Sequence, residues 1–169
     1  MMQVLGVVLV TAGASWLGFW AADMLDRECR ELRKVVEALA VLEREMEWDS
    51  PPFPELLKRL VRQCQGPMKG IFQDLMHALD CLGEGTLAET WSASVKKECA
   101  IHAEARKALL PLGSVLGRYS SQEQCQAVAR IRMRLEGIEQ ELLEKRKQKG
   151  KLYRVLGVSG GSFLALLLL

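Results

Sequence analysis

The sequence has few of the residues that metal and redox sites commonly use. Only two histidines occur among its 169 residues, and the five cysteines are odd in number and form no CxxC or CxH spacing. His77 and His102 fall on different predicted helices and lack the spacing of paired metal ligands. These absences argue against a zinc site or a redox dithiol. Cysteines among apolar residues are instead typical of small core side chains in a reducing compartment.

Motifs for nucleotide binding and for nucleophilic catalysis are also missing. The glycine-dense run from Gly157 to Gly161 lies in an apolar segment, and no Lys-Ser/Thr pair follows it as in a phosphate loop. Ser159 within this run lacks the preceding strand that a nucleophile elbow needs. The sequence therefore predicts no catalytic residue, no metal and no cofactor, and we expect a protein that is not an enzyme.

Carboxylates are numerous, but they fall on predicted helical faces that are also rich in Arg and Lys. We interpret them as members of solvated ion pairs rather than as catalytic acids or bases. The groups concerned are Glu43, Glu45 and Glu47, and Glu136, Glu139 and Glu141. Nearby Arg130, Arg132 and Arg134 are exposed candidates for binding a partner, but they are equally consistent with a solvated helical face.

Charge is absent from both ends of the chain. All 44 charged side chains lie between Asp23 and Arg154, so the first 22 and the last 15 residues carry none. The net charge of +2 argues against a nucleic-acid partner, because phosphate neutralisation needs a clustered basic surface. One basic cluster, here called the basic flank, precedes the uncharged C-terminal segment: Lys145, Arg146, Lys147, Lys149, Lys151 and Arg154.

The two uncharged ends are predicted to be membrane anchors. Residues 1–22 would form a helix about 33 Å long, enough for the roughly 30 Å hydrocarbon layer. A cleaved signal peptide with its site near Ala12–Ala14 is the alternative, and cleavage would release a secreted helical domain. Residues 152–169 form a second, shorter anchor, of which the uncharged part spans only about 22 Å as a helix.

The basic flank predicts the side of the membrane on which the middle of the chain lies. Positive residues beside a membrane helix favour the cytoplasmic side. The flank then serves as a topology signal and contacts lipid headgroups. Residues 23–151 are therefore predicted to form a cytoplasmic domain held between an N-terminal anchor, 1–22, and a C-terminal anchor, 152–169.

Small residues recur at every fourth position in both predicted anchors. Such rows let helix backbones approach closely in lipid. They predict packing of the anchors on each other, on partner helices or on a second copy of the chain, although Gly and Ala are common in membrane helices in any case. The rows are Ala14, Gly18 and Ala22 in the first anchor, and Gly157, Gly161 and Ala165 in the second.

Helical periodicity dominates the middle of the chain, and no window alternates with period two. Apolar residues recur every three or four positions from Asp23 to Trp48, and again from Val128 to Leu142 as in a coiled-coil seam. The prediction is an all-α fold, an antiparallel bundle of about six helices whose first and last members continue into the membrane anchors. Prolines and glycines separate the helices at 49–52, 66–67, 83–85 and 111–117.

Local signals refine the boundaries of the predicted helices. Thr86 with Glu89, and Ser120 with Glu123, have the spacing of capping boxes, which begin helices. After the first of these, we expect one helix that carries Trp91 and continues past Ile101 to Ala105. The stretch 109–117 is predicted to be a short apolar helix between turns.

Four stretches of this sequence resemble stage III sporulation protein AB, a family of endospore-forming bacteria, and the resemblance covers nearly the whole chain. The resemblance depends on the order and spacing of the four stretches more than on any one of them. The stretches are Trp16-Leu-Gly18, Leu42-Glu-Arg-Glu-Met46, Leu112-Gly-Ser-Val-Leu-Gly117 and Lys151-Leu-Tyr-Arg-Val-Leu-Gly157.

The resemblance implies a role in a large assembly. The family is encoded with other stage III proteins that build a secretion-like channel between mother cell and forespore. Its soluble domain is similar to the cytoplasmic domain of the platform proteins of type II secretion and type IV pilus machines. By that analogy the bundle docks a cytoplasmic secretion-type ATPase and other channel proteins, at the mother-cell (outer forespore) membrane. The alternative is a membrane-surface enzyme or small-molecule binding protein with an unrecognised site.

Overall fold

The computed structural model of the protein describes residues 26–48, 51–80, 86–117 and 120–168, with side chains up to residue 148. Within these ranges the chain forms six α-helices and one 3-10 helix and contains no strand, which confirms the all-α prediction. The helices are α1 over residues 26–48, α2 Phe53–Gln63, α3 Pro67–Asp80, α4 Leu87–Lys97, α5 Ala103–Leu109, the 3-10 helix Leu110–Ser114, and α6 Ser121–Leu168.

The chain divides into two units. One covers Glu28–Gln140 and contains most of the core. The other includes, among described residues, 26–27 and 141–168. In this second unit the guanidinium of Arg146 in α6 donates to the carboxylate of Asp26 in α1, with 3.0 Å between Nη2 and Oδ2.

The helix boundaries around α2 and α3 follow the prolines and glycines of the sequence. Pro54 lies in the first turn of α2, where the missing backbone N–H leaves no intrahelical bond unmade. Pro67 likewise begins α3, directly after Gly66, whose positive φ of 68° provides the turn between the two helices. The buried apolar residues include Leu56, Leu57 and Leu60 in α2, and Ile71, Phe72 and Leu75 in α3.

Both predicted capping boxes are present. In the first, the backbone N–H of Glu89 donates to the Thr86 hydroxyl at 3.3 Å, and the Glu89 carboxylate accepts from the Thr86 N–H at 2.8 Å. The same reciprocal pair joins Ser120 and Glu123 at the start of α6. Each box satisfies two backbone groups that the first turn of a helix leaves without partners.

The prediction of one helix from the first capping box to Ala105 is wrong. Helix α4 ends at Lys97, and α5 begins at Ala103 after a turn in which Ile101 is buried. His102 caps α5, because its Nδ1 accepts a hydrogen bond from the backbone N–H of Glu104 at 3.3 Å. The turn lets Ile101 enter the core without continuing the helix.

Trp91 is the largest side chain in the core, and it fixes the 3-10 helix to α4. Its indole N–H donates to the backbone carbonyl of Leu109 at 2.9 Å, while the ring is 1% exposed. Gly113 lies against the same ring, since a Cβ built there would stand 2.6 Å from the Trp91 Cδ1 atom. The predicted short apolar helix is thus a 3-10 turn that passes over the indole.

Among the residues that the structure describes, no helix combines the length and apolar character that a membrane crossing requires. The predicted N-terminal anchor, residues 1–22, lies outside the described residues. In the predicted C-terminal anchor, residues 152–168 belong to helix α6.

Candidate functional site

Helices α1 and α6 lie side by side and run in opposite directions within the unit Glu28–Gln140. The hydroxyl of Ser121 donates to the backbone carbonyl of Met46 at 3.4 Å, and the thiol of Cys125 donates to that of Glu43 at 4.0 Å. Residue numbers therefore rise along α6 while those of the contacting residues fall along α1, as in an antiparallel pair of helices. Val128 and Leu135 of the predicted seam are buried, whereas Ile131 is half-buried.

Arg132 is the central polar residue between the two helices. Its Nε donates to the carboxylate of Glu43 at 2.7 Å, and its Nη1 reaches Glu136 one turn further along α6. The hydrogen bond to Glu43 is the main cause that raises the pKa of Arg132 above its usual range. Of the three exposed candidates from the sequence, Arg130 and Arg134 are exposed, but Arg132 is half-buried and serves to join helices.

Glu45 on α1 is held by two residues of α2. Arg59 donates to its carboxylate at 3.2 Å and Gln63 at 3.0 Å. The hydrogen bond from Gln63 is the main cause that lowers the pKa of Glu45, and the charge of Arg59 acts in the same direction. This carboxylate is therefore part of the helix packing.

Glu43, Glu47 and Cys125 bring their side-chain heteroatoms together at one end of the bundle. One oxygen of each carboxylate and the Cys125 Sγ all lie within 4.8 Å of one another. Partial burial, followed by the negative charges of Glu47 and Glu43, raises the pKa of the Cys125 thiol. The sequence shows only that two glutamates lie one turn apart, and the pairing of α1 with α6 adds the cysteine.

This cluster is a poor metal site. Metal binding by cysteine requires the thiolate, and partial burial together with the neighbouring carboxylates raises the pKa of this thiol. One of the three groups, Glu43, is already held by the guanidinium of Arg132. What the arrangement offers is a concentration of negative charge beside a surface cleft.

Two clefts open at this end of the bundle and share Met46 and Ser121. The smaller, here called the apolar cleft, has a volume of about 130 Å³, and the larger, here called the acidic cleft, about 450 Å³. The apolar cleft is lined by Met46, Pro51, Phe53, Leu56, Gly117, Ser121 and Gln124. The acidic cleft is lined by Met46, Glu47, Ser121, Gln122, Cys125 and Gln126.

The site residues predicted from the sequence lie elsewhere. In the basic flank, Lys145, Arg146 and Lys147 are exposed on α6, and Lys149, Lys151 and Arg154 follow further along the same helix. Gly157, Gly161 and Ala165 also lie on the α6 backbone, and Ala14, Gly18 and Ala22 lie outside the described residues. No ion pair other than that of Arg146 with Asp26 involves the described side chains of the flank.

The fold and this surface define an all-helical bundle. Its hydrogen-bonded charged side chains lie between helices, and other polar side chains lie at the rims of open clefts. The chain belongs to the stage III sporulation protein AB family, whose model matches residues 3–169. This confirms the resemblance found in the sequence and makes the chain a member of a sporulation family.

One sequence relative and one solved structure are similar to this chain. Stage III sporulation protein AB of Bacillus subtilis (strain 168) is 24% identical over 172 residues, which cover 100% of both chains. A solved structure of a stage III sporulation protein AB superimposes with a TM-score of 0.60 at 20% identity, and covers 72% of this chain and 98% of its own. The second comparison supports the helical fold alone.

Proposed function

We propose that the protein is a non-catalytic membrane platform of the secretion-like channel between mother cell and forespore that endospore formation requires. In this role it docks a cytoplasmic secretion-type ATPase and other stage III channel proteins. The observation that carries the proposal is the extent of the family match, since residues 3–169 include both uncharged ends together with the bundle.

The charge distribution supports attachment to the membrane. All charged residues lie between two uncharged ends, and the exposed Lys145 and Lys147 begin the basic flank. Residues 1–22 and 152–169 act as anchors, and residues 23–151 form the cytoplasmic domain at the mother-cell (outer forespore) membrane. The flank contacts lipid headgroups, and its positive charges keep it on the cytoplasmic side.

The small-residue rows fit a platform that is assembled within the membrane. Ala14, Gly18 and Ala22 on one anchor, and Gly157, Gly161 and Ala165 on the other, allow close backbone approach between helices. We propose that these rows pack the two anchors on each other or on helices of the partner proteins. A second copy of this chain is a further partner of the same kind.

The way the bundle uses its charged groups supports a scaffold role. Glu43, Glu45 and Arg132 join helices, and the Asp74 carboxylate accepts a 2.6 Å hydrogen bond from Ser94 between α3 and α4. Such contacts stabilise one packing of the helices. A rigid bundle with a polar exposed surface can hold a protein partner without large rearrangement.

Site-specific photocrosslinking in sporulating cells tests this proposal. A benzophenone amino acid replaces exposed residues of the full chain, for example Trp48, Lys69 and Arg130, and buried Leu39 as the matched control. We expect at least one exposed position to crosslink to the secretion-type ATPase of the channel, and Leu39 not to. Membrane-inserted chains that crosslink to no channel protein from any exposed position would contradict the docking role.

A further inference from the structure

The proposed function requires a surface of the bundle that meets a partner, and one end of the bundle offers such a surface. The surface lies where Met46 and Glu47 of α1 meet the start of α6. It consists of the apolar cleft and the acidic cleft, which are contiguous through Met46 and Ser121. All of these residues belong to the unit Glu28–Gln140.

One part of this surface offers apolar contact to a partner. Trp48, which follows Glu47 on α1, is 91% exposed and has the largest exposure among the large hydrophobic side chains described. Half-buried Pro51 and Phe53 line the apolar cleft nearby in the chain. An exposed tryptophan directly after a residue that lines a cleft is typical of side chains that become buried when a partner binds.

The other part is negatively charged. Glu47 lines the acidic cleft, is exposed, and pairs with no cation among the residues that the structure describes. By contrast, Arg132 neutralises Glu43. The C-terminal carbonyls of α1 add partial negative charge, because the chain is no longer helical at Pro51. Among the described residues, therefore, no cation complements Glu47 at this end of the bundle.

The two clefts together fit one kind of occupant better than others. An Arg or Lys side chain has an apolar stem and a cationic tip, so it can cover Met46 with the stem and bring the tip to Glu47. A neighbouring apolar side chain of the same segment can enter the apolar cleft. A bare metal ion would match the charge but would leave the apolar cleft and Trp48 exposed.

We infer that the surface formed by the two clefts and Trp48 docks a basic segment of a protein partner, one in which an Arg or Lys stands beside an apolar residue. Electrostatic complementarity selects the segment, and burial of Trp48 with the apolar cleft stabilises the complex. This inference rests on the proposed function for the identity of the partner, but its chemistry can be tested without that partner.

The test measures binding of a fluorescein-labelled peptide of alternating Leu and Arg to the full chain in phosphatidylcholine nanodiscs, by fluorescence anisotropy. Glu47→Gln should weaken binding about fivefold, because one carboxylate at the rim of a protein interface contributes on the order of 1 kcal/mol. The matched control is Glu37→Gln, which removes one exposed carboxylate from the same helix but outside both clefts, and it should leave the Kd within about twofold. Trp48→Ala should weaken binding as well.

Equal affinity of the Glu47→Gln and Glu37→Gln chains would overturn the inference. So would Zn²⁺ binding in equilibrium dialysis that is lost on both Glu47→Gln and Cys125→Ser, because a metal ion would then be the occupant. Failure here is distinct from failure of the proposed function. If the ATPase is crosslinked from Lys69 or Arg130 but never from Trp48, the platform stands and this surface is the wrong one.

Discussion

Arg132 in α6 donates to Glu43 in α1 across a distance of 2.7 Å, and both side chains are largely covered, at 27% and 17% exposure. The contact joins positions 89 residues apart in the chain. It therefore holds together the helices that lie at opposite ends of the sequence. Charged hydrogen bonds that are partly shielded from water contribute more than exposed ones.

Replacing Arg132 by methionine should lower the free energy of unfolding by about 1 kcal/mol, because Glu43 and Glu136 are left without their common partner. For a chain of this size that shift lowers Tm by roughly 2–4 °C. Thermal unfolding of the full chain in detergent micelles, followed by circular dichroism, measures the change. Arg132→Met is chosen since methionine keeps most of the packing volume.

The matched control for this substitution is Arg33→Met. Arg33 pairs with Glu37 on α1, but the two side chains are 71% and 65% exposed. Exposed pairs of this kind contribute only a few tenths of a kcal/mol, so we expect almost no change in Tm. Equal destabilisation by both substitutions would mean that Arg132 has no special role between the helices.

Two glycines within helices should respond oppositely to alanine. A Cβ at Gly113 would stand 2.6–2.9 Å from three atoms of the buried Trp91 side chain, so Gly113→Ala should destabilise the chain by about 1–3 kcal/mol. At Gly137 in α6 nothing lies within 4 Å of the added atom, so Gly137→Ala should stabilise by about 0.5–1 kcal/mol. Thermal unfolding of the two variants in parallel provides the comparison. A stabilised Gly113→Ala chain would disprove the close contact with the indole.

The alkaline stability of the protein should depend on Cys64. Burial raises the pKa of this thiol from 9.0 to about 11. The unfolded chain therefore loses the proton at lower pH than the native chain. The contribution of Cys64 to stability is fully present below pH 9 and is lost as the pH rises toward 11.

Unfolding measured between pH 8 and pH 11 tests this dependence. Cys64→Ala should reduce the loss of stability across the window, in addition to a pH-independent penalty from the cavity. Cys99→Ala alters an exposed thiol and should leave the wild-type slope unchanged. A Cys64→Ala chain with the wild-type slope would show that the buried thiol does not govern this behaviour.

The capping box at the start of α4 should contribute to stability. Thr86→Ala removes the hydroxyl that accepts from the Glu89 N–H, so we expect a loss of about 1 kcal/mol. Thr90→Ala is the matched control, because it removes the same atoms from a residue inside the helix. Urea unfolding should give a lower midpoint for Thr86→Ala than for Thr90→Ala, and the reverse order would contradict the capping role.

Local signals in the sequence predicted most of the helix boundaries. Pro54, Pro67 and the two capping boxes act within a few residues of themselves, so their effects do not depend on the rest of the fold. The break between α4 and α5 was missed because no proline or glycine marks it. The only signal is the six-residue interval between Val95 and Ile101, which a continuous helical face does not allow.

The candidate site depended on information that spacing along the chain does not contain. The helical pattern places Glu43 and Glu47 on one helix, as the structure does. The proximity of Cys125 to them depends on the alignment of α1 with α6. Arg132 was grouped with its neighbours Arg130 and Arg134, and only the packing of the two helices distinguishes it from them. Such contacts arise from tertiary structure. The side-chain pattern of one helix does not show which other helix packs against it, or in which alignment.

We propose that the protein is a membrane platform with its bundle in the cytoplasm, and labelling of the exposed Cys99 tests this proposal most directly. Intact sporulating cells are treated with a membrane-impermeant maleimide before and after permeabilisation, and the membrane fraction is analysed by peptide mass spectrometry. We expect Cys99 in the membrane fraction to be labelled only after permeabilisation, and the buried Cys64 in neither sample. Labelling of Cys99 in intact cells, or recovery of the chain outside the membrane fraction, would contradict the account.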